Sequence, residues 1–417
     1  VSTATEPTWV GALRQRGAER FAAHGWPTTK NEDWKYTSVT PIAEGGFVVP
    51  PATAHGVTAA AIAPYLFGGE TPTVVIVNGV VDPKLSNLAT LPGPVRVLSL
   101  REAYAAIPEV LEKRLGQIAA DQPFTALNAS RLQDGVVVYV PKDVECARPV
   151  QLVYVADDQA KGAELPIRSL VVAERHAKVT VIESWVGLTD AKYFTNAVTE
   201  IDVADGATVT HLKVQREGSA ACHVAHVEAR QGKDSHLVQF SFAIGAKLAR
   251  TNVYTTLAGP GCGATLNGLY LGDGEQHIDH QTRIEHVQPN CYSREVYRGI
   301  LDGASHGVFN GKVYVHPEAQ QTDGKQENHT LLLSEKAKID TKPQLEIFAD
   351  DVKCTHGATV GRMDQTGLFY MKSRGIGPEL AKQLLIYAFA ADVLETIEHE
   401  PVREGLEALV LARYTQG

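Results

Sequence analysis

Short β-rich runs dominate the middle of the chain. Val136–Val140, Leu152–Val155, Leu170–Glu174, Val179–Ile182, Val198–Val203 and Val209–Val214 follow one another, separated by turns that carry Gly, Asp and Asn. This density of strand predicts a sandwich, a barrel or a solenoid. A repeat favours the solenoid: a small residue followed by an alternating strand recurs at Ala177, Ala207, Ser235 and Ala264, at intervals of 30, 28 and 29 residues. Weaker echoes follow at Ala304, Ala337 and Ala358. Such an interval suggests stacked coils, each burying its apolar face on its neighbours. Regularly placed turns in another β architecture would give the same spacing, so the pattern alone leaves both open.

The pattern changes at both ends. Residues 1–145 read as an α+β region, 146–363 as the solenoid core and 364–417 as a small all-α domain. In the first part, Trp9, Leu13 and Phe21 mark an amphipathic helix. The β-branched run Val74–Val81 around Asn78-Gly79 predicts a hairpin, and Leu98–Ala119 returns to helical spacing. In the last part, Asp364 is a plausible N-cap for a helix over Gly367–Ser373, and Pro378 opens a second helix reaching about Glu398. Pro401 opens a third, with Leu406, Leu409 and Val410 on one face. The stretch Leu384–Ala391 is apolar all round, whereas a lone surface helix shows one apolar stripe. So small a domain buries it poorly alone, so it docks on the solenoid, with or without a partner protein.

Composition narrows the function. The net charge of −9 argues against a broad cationic footprint, and hence against nucleic acid or anionic membrane as partner. No apolar run approaches the roughly 18 residues of a membrane helix. The first 25 residues resemble neither a secretion signal nor a transit peptide, which points to the cytoplasm, although the chain begins at Val and an earlier leader stays open. The five cysteines are scattered singly with no CxxC, against a disulfide framework or an autonomous metal site. Enzyme signatures are sparse: there is no GxxxxGK[ST], HExxH or GxSxG. Gly259-Pro-Gly-Cys-Gly263 lies between strand-like runs with no helix to receive phosphate, and reads as a turn.

The best local chemistry lies in Asp350-Asp-Val-Lys-Cys-Thr-His-Gly357. On a strand, Cys354 and His356 leave the same face, their Cα atoms about 6.6 Å apart. Soft or borderline metals accept both ligand types, yet two ligands make an incomplete site, and the rest would have to come from another chain. A buried cysteine beside a hydrogen-bonded histidine is the structural alternative, and spacing alone does not exclude it. A second cluster, His277 to His286, places His280, Thr282, Ile284 and His286 on one face if extended; it reads as polar side chains stacked along coils.

These same residues carry a resemblance. Gln326-Glu-Asn-His-Thr-Leu-Leu-Leu-Ser334, Ala337–Ile347, Asp350–Gly361 and Leu368-Phe-Tyr-Met-Lys-Ser-Arg-Gly375 resemble the C-terminal half of the SufB/SufD family of iron–sulfur cluster assembly proteins. Pro27-Thr-Thr-Lys-Asn-Glu-Asp-Trp-Lys-Tyr-Thr37 resembles the family's N-terminal motif, and Pro123–Asn128 and Asp134-Gly135 also fit. The Cys354-Thr-His-Gly357 form and the Trp34 motif look like the SufD branch rather than the SufB branch. The resemblance implies a right-handed parallel β-helix, a SufB-like paralogue and a SufC-like ABC ATPase as partners, and self-association when the paralogue is absent. It implies no catalysis by this chain and no cofactor bound by it alone, only a transient iron–sulfur cluster at a subunit interface. His356 matches the family's interface histidine and Cys354 the nearby cysteine. The C-terminal helix with Leu384, Leu385, Tyr387, Phe389 and Leu394 would be the ATPase-docking surface. Two rivals remain: a solenoid enzyme acting on a polysaccharide, and a homodimeric binding module. The first is weakened because the adjacent Asp350 and Asp351 face opposite sides of a strand and so make no carboxylate pair.

Overall fold

From Val136 onward, successive strands alternate between two sheets, and each pairs in parallel with the strand two places further along the chain. The computed structural model describes residues 6–51 and 53–415. One strand from each sheet makes one coil, and about eight coils stack into a parallel β-solenoid. Among the described residues the sheets hold ten and nine strands. Every strand-like run named above lies in one of these strands, apart from the final residue Glu174.

The small residues line a corner. Lys178 pairs with Thr208, Thr208 with His236 and His236 with Gly263. The residues just before them, Ala177, Ala207, Ser235 and Cys262, are at most 1% exposed. The equivalent of Ser235 in the next coil is thus Cys262, not Ala264. The coil there is two residues shorter than the sequence interval implies. A slip of two residues preserves the face, so Ala264 is buried as well. Ala304 and Ala337 mark corners of the other sheet, ahead of His306–Val315 and Lys338–Ile347, and Ala358 lies inside a strand. Corners absorb length differences, so coil length is not constant.

The N-terminal end of the solenoid is capped. The hairpin forms between Thr73–Val77 and Val80–Asn87, with Asn78 at φ 49° and Gly79 at φ 87°, both in the left-handed region that a tight hairpin turn requires. Thr73–Val77 also pairs in parallel with Val150–Ala156, so this region supplies a strand of the stack. Arg96–Ser99 closes the other sheet, antiparallel to Val136–Val140. Helical structure after Leu98 is shorter than the spacing predicts. A helix over Leu100–Ala106, capped by Ser99 and Glu102, stops at Ile107 because Pro108 disfavours helical backbone before it. A short helix then covers Pro108–Glu112. The helix Thr8–His24 buries Val10 and Leu13.

The Trp34 motif straps this region to the solenoid. The Arg250 guanidinium lies 3.7 Å from the Trp34 ring centroid, donates to the Asp33 carbonyl at 2.7 Å and pairs with Asp279 at 2.7 Å. Thr37 donates to the same Asp279 carboxylate at 2.5 Å.

The C-terminal helices span Gln365–Ser373, Pro378–Leu394 and Glu400–Thr415. Asp364 caps the first by accepting from the Thr366 amide at 2.9 Å. The second ends at Leu394, short of Glu398. Its Ile386, Ala390, Val393 and Leu394 join Phe242, Leu269, Leu271 and Ile300 of the solenoid in one apolar cluster. Arg298 fastens it by donating to the Phe389 carbonyl at 2.8 Å and pairing with Asp392 at 2.7 Å. The opposite face stays open: Leu384 is 40% and Leu380 51% exposed. No helix among the described residues is long and apolar enough to cross a membrane.

Candidate functional site at the open end of the solenoid

Among the described residues the solenoid ends without a cap. Strand Val352–Arg362 pairs with Thr322–Leu332 on one side, and Lys338–Ile347 with His306–Val315. Both are last in their sheets, with one edge unpaired. An unpaired edge is a template for another strand, and native proteins blunt it with Pro or charge. At the capped end, Val80–Asn87 carries Asp82, Pro83 and Lys84. Lys338–Ile347 carries Lys342 and Pro343. The stretch Cys354–Gly361 has neither Pro nor a formally charged side chain, with His counted neutral.

Cys354 and His356 sit on this edge, on one face, as the alternation predicts. In register, Cys354 stands over Gly324, Ser293, Ala264 and Leu237, and His356 over Gln326, Glu295, Leu266, Gln239 and His211. Each of those underlying positions is buried, yet Cys354 is half-buried and His356 exposed. They therefore occupy inward-facing positions that lack the next coil. Burial raises the Cys354 thiol pKa, offset in part by a backbone hydrogen bond from Gly324. Asp350 and Asp351 precede the strand in the corner.

Beneath His356 the interior is polar. Gln326 donates to Glu295 at 2.7 Å, and burial pushes the Glu295 carboxyl up to about 7. Deeper in, Lys213 meets His223 Nε2 at 2.9 Å, and His223 Nδ1 meets Glu217 at 2.7 Å. His211 lies 3.4 Å from Glu183. All five side chains are buried. Burial pushes Lys213 down to about 8. Burial alone would raise Glu217, but attraction and hydrogen bonding from His223 outweigh it and hold the carboxyl low. His211 and Lys213 share the strand Thr208–Arg216, Glu217 follows it, His223 lies on the next strand and Glu183 one coil earlier. Polar residues alternating along a strand look like a solvent face, so the sequence offers little sign of them.

His280, Thr282, Ile284 and His286 do share a buried face. His280 lies between the Tyr270 and Tyr297 rings, at 5.1 and 5.2 Å, and His286 meets the Ser293 hydroxyl at 3.0 Å. Their surroundings are those of structural side chains. Among the described residues no group of three or more His, Cys, Asp or Glu is arranged to hold a metal ion.

Of the helix residues singled out for docking, Leu384 is exposed and Leu385, Tyr387 and Phe389 are half-buried. Leu394 is fully buried against the solenoid.

Family comparison completes the picture. Residues 155–389 match the SufBD core domain of the SUF system for FeS cluster assembly, and residues 3–152 match the SufBD protein N-terminal region. The chain belongs to the SufBD family. It is 34% identical to the iron–sulfur cluster assembly protein SufD of Escherichia coli, over 96% of this chain and 92% of that protein. It is 32% identical to an iron–sulfur cluster assembly SufBD family protein of Synechocystis, over 98% of this chain and 92% of the relative. SufD of Bacillus subtilis is 31% identical, over 75% of this chain and 72% of its own length. The β-solenoid is thus that of an iron–sulfur cluster assembly protein of the SUF system.

Proposed function

We propose that this chain is a non-catalytic scaffold subunit whose open terminal coil is completed by the terminal coil of a SufB-type paralogue. Nascent iron–sulfur clusters form at that junction as cargo, with Cys354 and His356 contributing donors and the partner supplying the rest. The C-terminal helices hold a SufC-type ABC ATPase through the exposed side around Leu384, while the buried side keeps them on the solenoid. The setting is a reducing cytosol.

One observation carries this reading: Cys354 and His356 stand where every earlier coil buries its residue, on an edge strand with no Pro or formal charge across Cys354–Gly361. A strand added from another chain would satisfy the edge by main-chain hydrogen bonding. It would also bring further ligands to a thiol and an imidazole that make an incomplete site by themselves. Because Cys354 is held protonated by burial, metal arrival would release its proton.

The test is an anaerobic pull-down of the tagged full-length chain from its native cells, with co-eluting proteins identified by mass. Co-elution of an ABC-type ATPase and a paralogous solenoid subunit supports the scaffold. Recovery of the chain alone, or only with itself after cross-linking to trap weak complexes, overturns it.

A further inference from the structure

Two cysteines that the cluster site does not use lie side by side. Cys262 immediately precedes strand Gly263–Gly272, and Cys291 immediately precedes Tyr292–Leu301. These strands are direct parallel neighbours, with Gly263 opposite Tyr292, and the Tyr292 amide donates to the Cys262 carbonyl at 3.0 Å. The two thiols therefore occupy the same corner position in successive coils. Both Sγ atoms approach one oxygen, the Gly259 carbonyl, at 2.9 Å for Cys262 and 3.4 Å for Cys291. Adjacent strands stand about 4.8 Å apart, inside the range of roughly 4.4–6.8 Å between Cα atoms that a disulfide tolerates.

The geometry points to Cys262 and Cys291 as a reversible dithiol–disulfide pair that joins two successive coils when the protein meets a peroxide. Both thiols are free in the structure. They share a proton asymmetrically: donation from Cys291 brings the Cys262 thiol down to about 6, and Cys291 itself is pushed far up. Whichever thiol ionises first is the nucleophile and its neighbour resolves, here with Cys262 in the first role.

The chemistry balances with hydrogen peroxide as oxidant. The Cys262 thiolate attacks one peroxide oxygen, an S–O bond forms, the O–O bond breaks, and the departing hydroxide takes the Cys291 proton to become water. The Cys291 thiolate then attacks the sulfenic sulfur, the S–S bond forms, the S–O bond breaks, and the departing hydroxide takes back from solvent the proton that Cys262 lost on ionising, leaving as a second water. Two thiols are oxidised and one peroxide is reduced. Both thiols are buried, so peroxide reaches them through opening of the tight turns that precede them, where Gly261 is half-buried and Asn290 exposed, both with positive φ. The strands so joined are those on which the helix Pro378–Leu394 lies, so oxidation would staple the rungs that carry the C-terminal helices.

The full-length protein is treated with increasing peroxide until the half-exposed Cys354 is oxidised, then alkylated in denaturant and digested with trypsin without reductant. Arg250, Arg283 and Arg294 place the two cysteines in separate peptides, Thr251–Arg283 and Ile284–Arg294. The expected result is a linked pair of these peptides, lighter than their sum by two hydrogens, lost on dithiothreitol treatment and absent in C262S and in C291S. A reversible rise in melting temperature should accompany it in wild type and not in either variant. Recovery of both cysteines as separate alkylated peptides, in samples where Cys354 is oxidised, overturns the proposal.

Discussion

Gly324 lies directly beneath Cys354: a Cβ on Gly324 would stand 3.3 Å from the Cys354 Sγ and 3.4 Å from the Ser293 hydroxyl oxygen. The glycine leaves just the room the sulfur needs. Gly324→Ala should be tolerated with small shifts of those side chains. Gly324→Val should push Cys354 outward and cost about 1–3 kcal/mol by overpacking. Alkylation of Cys354 in the folded protein should be faster in the valine variant than in wild type. An unchanged rate would mean that the thiol is not seated over Gly324.

His356→Ala should leave the fold and the assembled complex intact, because the imidazole is exposed at the last strand of its sheet. Cluster formation in cells should fall by about tenfold or more, as befits loss of a donor rather than of its supporting contacts. Wild-type cluster content in this variant, with complex recovery unchanged, would remove His356 from the site.

Much of this site is legible in the sequence, because a strand's two-residue period puts Cys354 and His356 on one face whatever the strand packs against. The Asn78-Gly79 turn and the Asp364 cap are legible for the same reason, since their chemistry is local. The interior is not. Lys213 and Glu217 meet His223 because consecutive strands fold onto the two facing sheets of one coil, and nothing in the local pattern marks these polar positions as buried. A fixed interval, moreover, slips by two residues already at Cys262. Arg250 and Trp34 are further apart still along the chain, and nothing in either segment names the other. The all-round apolar helix is legible as needing cover, but only the structure divides it into a side that the solenoid occupies and a side left open.

That division gives a paired prediction. Leu394→Ala should cost about 2–5 kcal/mol, because Leu394 is fully buried between helix and solenoid. Leu384→Asp should change stability by no more than about 0.5 kcal/mol, as an exposed position away from the core. On the proposed reading it should nonetheless abolish co-purification of the ATPase. Chemical denaturation separates the first effect and a pull-down the second; a folded Leu384→Asp variant that still retains the ATPase would move the docking surface elsewhere.

Between about pH 4.5 and 6.5 two sets of buried groups act on stability in opposite directions. Burial lowers His277 to about 4, His280 to about 3 and His286 to about 4, so the unfolded chain binds more protons than the fold, and stability falls as pH drops from 6.5. Burial raises Asp134 to about 6, and Glu164 and Glu295 to about 7, so over the same window the fold binds more protons, and stability rises as pH drops. Each group tilts the balance by about 1.4 kcal/mol per pH unit while its folded and unfolded forms differ in protonation. Removing one from either set should expose the other. His280→Phe, which keeps a ring between Tyr270 and Tyr297, should make the protein relatively more stable at pH 5 than at pH 6.5. Glu295→Gln, which still accepts from Gln326, should do the reverse. Urea unfolding of wild type and both variants at the two pH values checks this, and slopes that do not depart from wild type in opposite directions would show that these side chains do not titrate as their burial requires.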